Sequence, residues 1–196
     1  MWLESLFIII AYLLGSFSSA VIVCHVMGYE DPRTLGSGNP GATNVLRHGG
    51  KKAAIITLVL DILKGVVAIL MTKFITDSAL ILALSALAVF LGHLYPVFFN
   101  FKGGKGVATA LGILVTLAWS VGLAALATWL IIAFSFRYSS LAALTTAMLT
   151  PVYMFYFTGV LEYILLATII AILMLWRHRR NIRNLLNGTE GKIGAT

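Results

Sequence analysis

Three polar windows hold the residues equipped for chemistry: GSGNPGATN at 36–44 with Arg47 just beyond it, FKGGKG at 101–106, and RHRRNIRNLLNGTE at 177–190. Each joins glycine to Arg or Lys. Glycine lets backbone N–H groups approach a ligand closely, and the basic side chain neutralises the charge that those groups solvate. The chemistry this suits is recognition of an anion, phosphate above all.

In the first window Gly36, Gly38, Gly41 and Pro40 are interleaved with Ser37, Asn39, Thr43 and Asn44. Glycine and proline at that density predict a loop at its start, and Ser, Thr and Asn add donors. Arg47 is placed to close the site with a bidentate phosphate contact. A flexible inter-helix loop is the competing reading. In the second window Gly103, Gly104 and Gly106 are predicted to form a helix N-terminus, whose N–H groups and dipole favour phosphate while Lys105 adds a full charge. This is not a Walker A loop, because Phe99 stands where its first glycine belongs, so ATP hydrolysis is not indicated. Here the competing reading makes Lys102 and Lys105 ordinary membrane-face anchors. In the third window a helix running on past residue 177 puts His178 and Asn181 on one face, within reach of one ligand. A basic helix lying on anionic headgroups is the alternative. Glu190 is expected to pair with an Arg rather than act chemically.

The rest of the chain must position these windows, and it is mostly hydrocarbon. Of 196 residues, 60% are apolar and 11% charged, a composition that predicts an all-α integral membrane protein. Apolar stretches lie at roughly 3–27, 53–72, 79–99, 106–136, 139–157 and 160–176. A span needs about 20 residues, so 106–136 is long enough for one tilted helix or two short ones. Lys102 and Lys105 precede it and Arg137 follows, so the positive-inside rule asks for both ends on one side and hence two crossings, joined near Ala118 to Gly122.

Seven transmembrane helices result, some short, with the N-terminus outside and the C-terminus cytoplasmic. Residues 28–52, 100–105, 137–139 and 177–196 then face the cytoplasm and hold twelve of the fourteen basic residues, all but Lys64 and Lys73. Six spans would put Arg177, Arg179, Arg180 and Arg183 outside, against the rule. A cleaved signal peptide is disfavoured for the first stretch, which carries Glu4, no basic flank and too long an apolar core.

One cysteine, Cys24, and four scattered histidines predict no disulfide and no metal site. The net charge of +7 fits orientation and contact with anionic lipid rather than nucleic acid. With no linker or soluble module, residues 1–196 read as a single membrane domain. Asp61 and Lys64, at i and i+3 inside the second apolar stretch, should face protein and pair; a proton or ion pathway is the functional alternative.

The windows, together with GHLYPVFFNFKGGKGVAT and the LDILKG segment at 60–65, resemble in order and separation the bacterial acyl-phosphate:glycerol-3-phosphate acyltransferase (PlsY) family over nearly the whole chain. Asn184 stands where that pattern commonly has a basic residue, which alters the charge of the third motif. The resemblance implies transfer of a fatty acyl group from acyl phosphate to the 1-hydroxyl of glycerol 3-phosphate, giving 1-acylglycerol 3-phosphate and phosphate, at the cytoplasmic face of the bacterial inner membrane. It implies no cofactor, and an enzyme supplying acyl phosphate as a partner. Ser37, Lys105, His178 and Asn181 look like catalytic-site residues. Gly38, Asn39, Gly41, Thr43, Asn44, Arg47, Gly103, Gly104 and Gly106 look like substrate binders, with Glu190, Asp61 and Lys64 as structural support. No HxxxxD motif follows any histidine; after His25, aspartate comes at the sixth position and not the fifth.

The substrate chemistry agrees. Acyl phosphate is a mixed anhydride with a good leaving group, so an enzyme has chiefly to neutralise two phosphates, place the hydroxyl and exclude water. Two other classes compete: a small anion or phosphate-ester transporter, and a noncatalytic membrane scaffold. Transport usually needs binding groups near the midplane, where only Asp61 and Lys64 lie.

Overall fold

The structure, a computed structural model, describes residues 2–194. Regular structure among the described residues is helical: α1 (Trp2–Gly15), α2 (Ser19–Val26), α3 (Ala42–His48), α4 (Gly50–Lys73), α5 (Ala79–Leu94), α6 (Val107–Leu117), α7 (Trp119–Phe136), α8 (Ser139–Thr158), α9 (Leu161–Arg177) and α10 (Arg179–Leu186), with one 3-10 turn at Val97–Phe99. In hydrocarbon the backbone must bond within its own segment, and a helix does so for apolar runs of this length. The chain separates into two compact units, residues up to Ile113 and residues from Leu114.

Among the described residues four helices are long and apolar enough to cross a membrane, namely α4, α5 with its 3-10 extension, α7 and α8; counting each bent pair as one span raises the number to six. The first apolar stretch is not one straight span. It breaks at residues 16–18, and α1 and α2 meet at 46°. The stretch 106–136 divides at Ala118, whose extended backbone (φ −151°, ψ 96°) separates α6 from α7. The eleven residues of α6 reach only about 16 Å at 1.5 Å per residue, well short of a bilayer core.

Within the first unit α1 packs on α5, and α4 packs on α1, α2, α3 and α5. The α1–α5 contact needs glycine on both sides. A Cβ on Gly15 would strike the Val89 carbonyl, and one on Gly92 the Tyr12 carbonyl. Tyr12 then closes the contact by donating its hydroxyl to Tyr95 O at 2.8 Å. In the second unit α8 packs between α7 and α9, with Leu114, Val121, Ala125, Met154 and Ala167 at the centre. Buried positions are dominated by alanine, whereas Ile9, Ile55, Leu70, Phe134, Phe155 and Ile172 are exposed. Small residues inside and large apolar ones outside is the arrangement of helices packed in lipid, where close backbone approach replaces the hydrophobic drive.

Candidate functional site

The first loop is built around one buried amide. Asn44, in the first turn of α3, donates through Nδ2 to the carbonyls of Pro32 (2.8 Å) and Leu35 (3.1 Å), and its Oδ1 accepts the Ser37 N–H at 3.2 Å. Both amide hydrogens of Asn44, expected among the ligand contacts, are therefore taken by the loop. Gly36 packs where a Cβ would meet both Asn44 Oδ1 and the His48 ring, and its φ of +55° is left-handed, so only glycine serves there. Around this frame Ser37, Gly38, Thr43 and Arg47 are exposed, while Asn39 and Gly41 are half-buried. The Ser37 hydroxyl accepts a long bond from the Asn39 N–H at 3.4 Å.

Arg33, absent from the expected residues, ties this loop to the next. Its guanidinium grips the Asp31 carboxylate, at 2.6 Å for the closest pair, donates to Phe99 O at 3.3 Å, and lies 5.7 Å over the Phe99 ring. Beyond Phe99 the chain passes through two left-handed non-glycine residues, Asn100 (φ 54°) and Phe101 (φ 57°). Such conformations persist where neighbours impose them. Here Pro96 O accepts from the amides of Phe99 and Phe101, Phe99 O accepts from Lys102, and Arg33 holds the same carbonyl.

The hydrogen bonds from Arg33 hold the Asp31 carboxyl below the ordinary carboxylate range, with partial burial opposing them. The sign follows: the clamp's contribution is complete above the normal carboxylate pKa and is lost as pH falls through the lowered value. Asp31→Asn, which leaves the Arg33 contacts to Phe99 in place, is expected to lower stability by about 1 kcal/mol at neutral pH, a partly exposed pair giving little more. In thermal melts this difference should disappear in strong acid; a gap that persists there would exclude the clamp as its source.

The second window meets the expected helix N-terminus only at its end. α6 begins at Val107, and Gly106, with φ of +86°, turns the chain into it and accepts from the Ala110 amide at 2.8 Å as an N-cap does. Gly103 and Gly104 are instead buried against the end of α5, where the Gly104 N–H donates to His93 O at 3.1 Å. A local glycine count cannot distinguish a helix cap from a segment pressed on a neighbouring helix. Lys105 is half-buried. Asp61 and Lys64 do pair, at 2.9 Å, inside the same unit.

In the second unit the chain bends by 61° between α9 and α10, so the expected continuous helix through His178 and Asn181 is corrected. His178 sits at the bend and is 3% exposed. Its Nδ1 is 2.8 Å from Met174 O, and since a carbonyl only accepts, Nδ1 carries the proton and Nε2 is the basic nitrogen of the neutral ring. Asn181 Nδ2 donates to Glu190 Oε1 at 2.7 Å, and Ser140 Oγ donates to the same oxygen at 2.5 Å. These contacts, rather than the expected Arg, hold Glu190, which fastens the segment after α10 to the start of α8. Ser140 lies 50 residues from Glu190, and no sequence signal announced it. His93 had a signal, its place in GHLYP just ahead of the second window. Among the described residues no three His, Cys, Asp or Glu side chains gather as metal ligands.

A family model described as glycerol-3-phosphate acyltransferase matches residues 5–188. A glycerol-3-phosphate acyltransferase of Thioalkalivibrio sulfidiphilus is 57% identical over 194 residues, covering 99% of this chain and 96% of its own. One of Methylococcus capsulatus is 54% identical, covering 98% and 97%. Two crystal structures of PlsY, an integral membrane glycerol 3-phosphate acyltransferase, share the fold. The glycerol 3-phosphate form has a TM-score of 0.93 at 41% identity, with 97% of this chain and 96% of that one covered. The lysophosphatidic acid form has a TM-score of 0.90 at 40% identity, covering 97% and 95%.

Proposed function

This chain belongs to the glycerol-3-phosphate acyltransferase family, and from that premise we propose that it transfers a fatty acyl group from acyl phosphate to the sn-1 hydroxyl of glycerol 3-phosphate. The observation that carries the reading is the pair of solved relatives, one in a glycerol 3-phosphate form and one in a lysophosphatidic acid form, the acceptor and the acylated product of one reaction. In that reaction the hydroxyl oxygen bonds to the acyl carbon, the bond from that carbon to the phosphate oxygen breaks, and the hydroxyl proton leaves with phosphate. The products are 1-acylglycerol 3-phosphate and inorganic phosphate.

Arg47 and Lys105 supply positive charge to phosphate, while exposed Ser37 and Thr43 and half-buried Asn39 give hydroxyl and amide donors around it, and Gly38 and Gly41, whose N–H groups bond Leu35 O and Asn39 O, shape the loop that presents them. Gly103, Gly104 and Gly106 shape the backbone on either side of Lys105. His178 and Asn181 complete the catalytic set, with Glu190 and Ser140 holding Asn181. Transfer is direct: among the described residues the Ser37 hydroxyl bonds the Asn39 N–H and no histidine and carboxylate pair, so an acyl-enzyme is not invoked. The substrate's own phosphate takes the proton. Phosphates bound by charge-assisted hydrogen bonds and a hydroxyl held beside the anhydride carbon account for acceleration without a cofactor.

The chain acts as one catalytic domain over residues 1–196, with seven membrane helices if α6 and α7 each count as a crossing. The N-terminus lies outside and the basic loops on the cytoplasmic face of the inner membrane, where an enzyme making acyl phosphate delivers the donor. Detergent-purified protein given palmitoyl phosphate and glycerol 3-phosphate should release phosphate and lysophosphatidic acid in equal amounts, and neither from palmitoyl-CoA. Folded protein that yields neither product, yet carries glycerol 3-phosphate into proteoliposomes, would be a transporter.

A further inference from the structure

Three ionisable side chains meet inside the first unit. Lys64 Nζ stands 2.9 Å from Asp61 Oδ1, and His93 Nδ1 stands 3.5 Å from the same oxygen. Asp61 is 3% exposed, His93 8% and Lys64 9%. Charges in an apolar interior need partners, and the Asp61–Lys64 pair already meets that need. It leaves open why a histidine shares the carboxylate oxygen.

The other side of His93 supplies a reason. Its imidazole lies against Gly104, where an added Cβ would strike Nε2 and Cε1, and its carbonyl accepts the Gly104 N–H at 3.1 Å. At the far end of the line, Lys64 Nζ donates to Phe17 O at 3.0 Å, in the break between α1 and α2. Contacts thus run from that break through Lys64 and Asp61 on α4 to His93 on α5, and end on the residue before Lys105.

We propose that Lys64, Asp61 and His93 are positioning residues for the glycine loop. Asp61 fixes the His93 ring, ring and carbonyl together hold Gly104, and Gly104 sets where the Lys105 ammonium stands. The inference rests on Lys105 being a phosphate contact. Three of the four residues from Gly103 to Gly106 are glycine, which loses more backbone freedom on ordering than any other residue. A loop left for the substrate to order would charge that loss against binding, whereas a loop already held does not. A buried pair serving packing alone has no reason to influence glycerol 3-phosphate affinity.

The test uses Asp61→Asn and His93→Asn in the full-length purified protein, each alone and combined with Lys105→Ala. His93→Asn leaves the Asp61–Lys64 pair intact, so one variant keeps its fold if Asp61→Asn does not. Each single variant is expected to raise KM for glycerol 3-phosphate about tenfold with kcat within about threefold, and to add no further rise once Lys105 is gone, the non-additivity of groups acting through one contact. In parallel, amide hydrogen exchange at Gly104 and Lys105 should quicken in both variants. Unchanged KM in a folded variant, a rise that adds fully to that of Lys105→Ala, or unchanged exchange overturns the positioning chain. Wild-type protein without acyl transfer would refute the functional reading itself, and the exchange measurement then decides the positioning chain alone.

Discussion

Lys105→Ala should cut kcat/KM for glycerol 3-phosphate by about 10- to 150-fold, the equivalent of one charge-assisted hydrogen bond of about 1.5–3 kcal/mol. Lys105 is half-buried beside Gly104 and Gly106, both buried, so its ammonium is delivered by a backbone that is itself held. Lys102, three residues earlier and exposed, is the internal control. If the two lysines merely anchor the chain at the membrane face, Lys102→Ala and Lys105→Ala behave alike. If Lys105 meets phosphate, only its loss moves the kinetics. Arg47→Ala should resemble Lys105→Ala, since Arg47 is exposed on α3 and its truncation leaves the core untouched. Both variants should insert normally, and wild-type kinetics in both would sink the phosphate clamp.

His178→Ala should lower kcat/KM by about two orders of magnitude, within the range of losing the hydrogen bond that Nε2 accepts from a glycerol hydroxyl together with the alignment it imposes. The ring is buried at the bend between α9 and α10, and Met174 O fixes its tautomer with Nε2 as the basic nitrogen. With substrate phosphate taking the proton, the loss should fall mainly on KM for glycerol 3-phosphate. A drop in kcat of about 10³–10⁴ with KM unchanged would make His178 the general base instead. Steady-state kinetics over a range of glycerol 3-phosphate concentrations separates these outcomes, and a purified variant with undiminished kcat/KM removes His178 from the site.

Lys105 and Arg47 stand out by residue type and spacing alone, as basic residues beside glycines, with membrane anchoring as the competing reading. The geometry of His178 does not. Extending the 3.6-residue period of α9 through residue 181 predicts one straight helix, yet the chain turns by 61° at His178, and Asn181 is held by Glu190, nine residues further on. Periodicity carries no information about where a helix must stop to let a distant segment dock.

The same division runs through the molecule. The amino-acid sequence alone announces the membrane class, because each apolar run must satisfy its own backbone where water is absent, and it marks the windows that carry phosphate-binding groups, because donors and charges are properties of residue types. It also called for a break in the 106–136 stretch, since Lys102, Lys105 and Arg137 flank it. What those windows rest on comes from the packed fold: Asn44 turned inward to Pro32 and Leu35, Arg33 on Phe99 O 66 residues away, Ser140 on Glu190 50 residues away, and His93 laid on Gly104 with Asp61 behind it. Each is a contact between segments brought together by helix packing. The energy that selects such a contact depends on the helices around it, and no residue's type or spacing contains it.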